Sequence, residues 1–237
     1  MRTHIRRGIA VALTVSALTF TAACGGSSDK GGDSAAKGKD KETAKEAPAA
    51  TPLTAEQMKA GVLAVADLPK GWVVAKNPIT ATTYKADKPE CQPIATLLQN
   101  KIDGATMGPT QDFTGGNGLN QLTHQVMTFP GTGATDFVTS IGTAADKCTG
   151  FKATMEGVPA QLKVEKLEAP KAGEESHGVR VSMDLGGAME YALHFAVARQ
   201  GSGVSRVVFV PGAPAAAKDY ADLAKRAGDK FVKAAQS

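Results

Sequence analysis

The sequence is short of most features that announce a chemistry. Its 237 residues carry 27 Lys and Arg against 23 Asp and Glu, a formal charge of only +4. Three of those cations, Arg2, Arg6 and Arg7, lie in the first 23 residues, which leaves 4 − 3 = +1 for the rest. A remainder so near neutral lacks the basic surface that releases counterions from phosphate, so nucleic acid is excluded as a partner. Aromatic residues make up 5% of the chain, so a soluble core must be built from Ala and Val more than from rings. There is no Gly-x-Ser-x-Gly elbow, no His-Glu-x-x-His helix and no Gly-x-x-x-x-Gly-Lys phosphate loop. Ser27-Ser28-Asp29-Lys30 has Ser-x-x-Lys spacing, but it lies in a stretch without apolar residues, where no fixed geometry activates a nucleophile. Gly115-Gly116-Asn117-Gly118 reads as a turn, because no strand-to-helix setting surrounds it. With His124, His177 and His194 dispersed, a zinc site lacks clustered ligands, so neither metal nor cofactor is expected. The chain is therefore not read as an enzyme, although a triad assembled from distant residues is recognised by geometry and not by spacing.

What is present begins at the amino terminus. Arg2, Arg6 and Arg7 precede Gly8 to Phe20, an uncharged run too short for a stable membrane span. Thr21-Ala22-Ala23-Cys24-Gly25 then resembles the lipobox of bacterial lipoproteins, with Thr21 where Leu is usual. The resemblance implies a signal peptide over 1–23, a diacylglyceryl group on Cys24 and an acylated new amino terminus. Ordinary cleavage after Ala23, leaving a free thiol, is the competing reading. Two or more acyl chains, at about 0.8 kcal/mol per buried methylene, hold a protein on a bilayer firmly. From Gly25 to Pro52 there is no Val, Ile, Leu, Met or aromatic residue. Such a segment cannot offset its ordering entropy by burial, so 24–52 reads as a disordered tether with balanced Lys and acidic residues.

Residues 53–237 read as one α+β domain. Thr54-Ala55-Glu56-Gln57 has capping-box spacing and opens a helix that Val62, Leu63 and Val65 continue until Leu68-Pro69-Lys70-Gly71-Trp72 stops it. A second helix opens at Cys91-Gln92-Pro93, a third near Thr132 to Asp136, and a fourth spans Ala215 to Ala235. Period-two patterning predicts a hairpin from about Ala105 to Phe129, one or two strands in 151–167, and three strands from Gly178 to Val210. A three-residue loop at Gly186 to Ala188 sets Val179, Val181, Met183 and Leu185 opposite Phe195, Leu193, Tyr191 and Met189. A two-residue loop at Gly201-Ser202 sets Phe195 opposite Val208 and Leu193 opposite Val210. This apolar face is expected to lie under helices. The whole is a curved antiparallel sheet flanked by helices.

The reverse face carries Arg180, Glu190, His194 and Phe209. With Trp72 they form the candidate ligand-binding set, the competing reading being a solvated face or one capped by the Leu68 to Trp72 segment. Cys91 and Cys148 fall on the buried faces of their helices in an exported chain, where a disulfide is the economical reading against two separate thiols.

Leu63 to Trp72, LAVADLPKGW, resembles the Asp-Leu-Pro-x-Gly-Trp opening of actinobacterial sensor-type lipoproteins. With Cys91 and Cys148, the order of elements over 53–236 resembles the extracellular sensor domain of PknH-type mycobacterial receptor kinases. The resemblance implies a curved antiparallel sheet flanked by helices around a ligand cleft. This sequence departs in having one pair of domain cysteines and no kinase domain. The expected function is an outer-face, membrane-anchored binding module for a small or lipid-like envelope molecule, its protein partner unspecified. A lipid carrier with an apolar cavity and an interaction protein without a small ligand are the rivals.

Overall fold

The structure, a computed structural model, describes residues 51–75, 84–155, 158–184 and 190–237. The leader, Cys24, the tether up to Ala50 and the Gly186 to Ala188 loop lie outside the described residues. In chain order the elements are α1 (Ala55–Gly61), β1 (Val73–Ala75), α2 (Gln92–Leu97), β2 (Thr106–Gly115), β3 (Asn120–Thr128), α3 (Gly133–Lys147), β4 (Gly150–Met155), β5 (Val158–Leu167), β6 (Glu175–Asp184), β7 (Glu190–Gln200), β8 (Gly203–Val210) and α4 (Tyr220–Ala235). Short 3-10 turns precede α2 and α4.

The strands form one eight-stranded sheet in the order β1-β2-β3-β8-β7-β6-β5-β4. Every pairing between these strands is antiparallel. Helix α3 carries the chain from β3 across to edge strand β4, and β8 returns to close the gap. The expected register holds wherever it is described: Val179, Val181 and Met183 face Phe195, Leu193 and Tyr191, and Phe195 faces Val208. The Leu193 to Val210 pair falls past the end of the ladder, which stops at His194 and Phe209.

Helices cover both faces. Under α3, Val138 and Ile141 pack on Val179, Val181, Phe195 and Val204. On the opposite face the stripe Tyr220, Leu223, Ala227 and Phe231 of α4 seals Leu122, Val126 and Phe209. The face expected to stay partly open is thus apolar along β8 and β3, and only its β5–β7 end carries charge. Trp72 joins that core because Gly115 leaves room beneath its indole, where a Cβ would stand 2.6 Å from the ring.

Local sequence sets some boundaries and tertiary contact moves others. Thr54 and Gln57 form the expected reciprocal cap, with the Gln57 amide donating to Thr54 Oγ1 (3.1 Å) and the Thr54 amide to Gln57 Oε1 (2.9 Å). Helix α1 nevertheless ends at Gly61, seven residues long, because the Leu63 amide donates to His124 Nδ1 (3.0 Å) instead of to its own helix. Helix α4 starts at Tyr220, five residues past Ala215, behind a 3-10 turn opened by Pro214. Residues 151–167 resolve into two strands, β4 and β5. Cys91 and Cys148 are disulfide-bonded, with Cα atoms 5.2 Å apart.

Candidate functional site

The five candidate side chains are placed in different settings. Arg180 lies between two carboxylates, with Nη1 donating to Glu165 and Nη2 to Glu190. Lys163 also pairs with Glu165, at 2.9 Å. Lys163 and then Arg180 hold the Glu165 carboxyl below its ordinary value, so the Arg180 charge is already answered. His194 stands opposite both Arg180 and Phe209 as the register requires, but it is buried, edge-on to Phe209 and Tyr220 at centroid distances of 6.1 and 5.5 Å. Burial first, and Arg180 second, push its ring below the ordinary imidazole value, so it is neutral. Phe209 has no exposed surface, and Trp72 packs against it at 6.5 Å. Both are core residues. Glu190 is exposed.

Two constellations that suggest catalysis are set up for something else. His124 Nε2 lies 2.8 Å from Ser205 Oγ, a Ser–His pair. Its Nδ1 accepts the Leu63 amide, so Nε2 carries the proton and donates to the serine, the reverse of a general base. Burial brings this ring down to about 3, and both residues are sealed from solvent. At the far end of the sheet, the Thr139 hydroxyl donates to Glu175 and not to His177, which itself contacts Glu175 at 2.9 Å. Among the described residues, no group of three or more His, Cys, Asp or Glu is placed to hold a metal. No described helix is long and apolar enough to cross a membrane.

A cleft of about 220 Å³ opens on the other face of the sheet, between the Tyr84–Asn100 segment and the ends of β3, β7 and β8. Its walls are chiefly apolar: Leu97 and Leu98 on one side, Leu193, Phe195, Val208 and Val210 on the other. Tyr84 and Tyr191 also line it, and burial followed by the nearby Tyr84 phenol raises the Tyr191 hydroxyl. The cleft exists because α3 covers Val179, Val181 and Val204 and stops there. The short α2 and its following turn take over that face without filling it.

The charged group at this site is Arg206. It is 4% exposed. Nη1 donates to the carbonyls of Leu97 (3.2 Å) and Gln99 (2.5 Å), and Nη2 donates to Gln125 Oε1 (2.7 Å). A cation thereby satisfies carbonyls at the C-terminal end of α2 that the helix cannot satisfy itself. Burial lowers the guanidinium to about 10, so it stays protonated at neutral pH. The reading of the sequence missed this residue. The signal was there, since the alternation that puts Val208 on the apolar face puts Arg206 on it too, one turn of the pleat earlier.

No protein-family model matches this chain, and no curated protein matches it. Among solved structures, the Rv0999 ortholog from Mycobacterium smegmatis aligns with 13% identity over 80% of this chain and 99% of that one, at a TM-score of 0.40, too low to argue from. The extracellular domain of PknH from Mycobacterium tuberculosis aligns at a TM-score of 0.53 with 16% identity, over 79% of this chain and 99% of that one. At that identity the likeness is one of fold: this chain resembles the PknH extracellular domain in architecture.

Proposed function

We propose that this chain is a lipid-anchored extracytoplasmic protein whose folded part is a non-catalytic, sensor-like ligand-binding domain, with its ligand lodged in the cleft between α2 and the sheet. The observation that carries the reading is the unfilled apolar cleft with a buried cation in its wall. Its volume corresponds to about seven water molecules at roughly 30 Å³ each. That suits a small molecule or one short chain, and it argues against a carrier that must enclose a two-chain lipid. The likeness in fold to an extracellular domain supports a place outside the cytoplasm, and the lipobox-like segment at Cys24 supports anchoring to the outer face of the membrane.

Two experiments test this. In an actinobacterial host fed labelled palmitate, the wild-type chain takes up label and Cys24→Ser does not; label retained by Cys24→Ser removes the anchor. Filling the cleft with Leu193→Trp should abolish binding of short-chain amphiphiles while thermal stability is kept. A second location is favoured by one detail, the buried His194 Nδ1, which has no hydrogen-bond partner. If His194→Ala and Arg180→Ala weaken binding and Leu193→Trp does not, the ligand belongs on the Arg180 face.

A further inference from the structure

Resting on that cleft as the binding site, we infer that its ligand is an anionic amphiphile: one short apolar chain bearing a carboxylate or phosphate head directed at Arg206. The described residues include four arginines, at 180, 199, 206 and 226. Three of them sit against carboxylates: Arg180 on Glu165 and Glu190, Arg199 on Glu174, and Arg226 on Asp222. Arg206 is more buried than Arg180 and Arg199, and it has no carboxylate within ion-pair distance among the described residues. Its hydrogen-bond partners are two carbonyls and one side-chain amide, all neutral, and its Nε has no partner among the described residues.

Capping two carbonyls needs donors, not a net charge. A buried cation without a counter-charge is costly, and in a medium of low dielectric its attraction for an entering anion is much stronger than in water. The wall around it supplies the rest of the specificity. Leu193, Phe195, Val208 and Val210 offer an apolar chain contact on the sheet side, and Leu97 and Leu98 do so on the helix side. Thr123, at the rim, donates its hydroxyl proton to Asp112 Oδ1 (2.6 Å). That proton is therefore taken, and Arg206 is the one cation among the residues that line the cleft.

Binding is measured by calorimetry on the full chain carrying Cys24→Ser, with octanoate, octyl phosphate, octanol and octylammonium as probes. The expected result is that octanoate or octyl phosphate binds at least tenfold more tightly than octanol, and that octylammonium binds no better than the alcohol. The tighter of the two anions identifies the head group. Arg206→Gln should bring the anion-to-alcohol ratio close to one, while Arg206→Lys should keep it. Should Arg206→Gln fail to fold, Val208→Glu reads the same interaction by placing a carboxylate two residues along the same face, and it should cost the anion at least tenfold. Equal affinity for octanoate, octyl phosphate and octanol, abolished by Leu193→Trp, overturns the charge preference and leaves the cleft. No binding by any probe overturns both.

Discussion

His124 has no exposed surface, and both of its ring nitrogens are used, one accepting from Leu63 and the other donating to Ser205. Protonating Nδ1 would break the Leu63 contact and bury a charge. Burial, with a smaller push from Lys230, therefore lowers the ring from 6.5 to about 3. The unfolded chain binds that proton more readily than the folded one, so stability falls as pH drops from about 6.5 towards 3. The slope reaches at most about 1.4 kcal/mol per pH unit for this one proton. His194, also lowered, adds to it with the same sign. Urea unfolding midpoints across that window should show the slope, and His124→Gln should flatten it; an unchanged slope would remove His124 as the cause. Gly115 offers a second test, because a Cβ there would meet the Trp72 indole at 2.6 Å. Gly115→Ala should cost about 1–3 kcal/mol by overpacking and shift Trp72 fluorescence, the only indole signal in the chain. Neither contact was visible from spacing, since Leu63 to His124 and Trp72 to Gly115 are distant in sequence.

Helix α2 is six residues long, too short to persist alone. It is pinned at both ends, by the Cys91–Cys148 disulfide at its start and by Arg206 at its terminal carbonyls. The disulfide closes a separation of 57 residues and ties α2 to the end of α3. Replacing both cysteines by Ala should lower unfolding free energy by about 4 kcal/mol in the chain-entropy view. Because α2 forms one wall of the cleft, octanoate affinity should fall with it, and hydrogen exchange should quicken at residues 92–99. Unchanged exchange there would mean that Arg206 alone holds the wall. The existence of all four helices was legible from periodicity. The Thr54 cap of α1 and the end of α4 at Ala235 were legible too, but the ends of α1 and α2 were not: the carbonyls of α2 are finished by a guanidinium from β8, and the amide that would extend α1 is taken by His124.

At the scale of the whole domain, the chain enters and leaves at one end of the sheet. The Thr51 carbonyl accepts from Ser202 at 2.7 Å, the Leu53 amide donates to Thr128 Oγ1 at 3.0 Å, and Gln57 Nε2 reaches the Ser237 carbonyl at 3.0 Å. The cleft residues Gln121, Thr123, Val208 and Val210 lie at the other end of β3 and β8. Gln121 and Thr128 are seven residues apart in one strand, or about 23 Å at roughly 3.3 Å per residue. The cleft thus lies at the end of β3 and β8 away from Thr51 and Ser237.

The sequence by itself determined the elements other than β1, the pairing of β6, β7 and β8 and the disulfide partners. Each of these follows from short-range periodicity, loop length or a count of two cysteines beyond Cys24. It also placed Arg180, His194 and Phe209 side by side, because register is a local property of hairpins. Which of those side chains remain accessible was decided by the tertiary structure, since α4 folds back from the far end of the chain to bury Phe209 and His194. The cleft was decided there too: it is the gap between a segment near residue 90 and strands near residue 208, and only packing brings them together around one arginine.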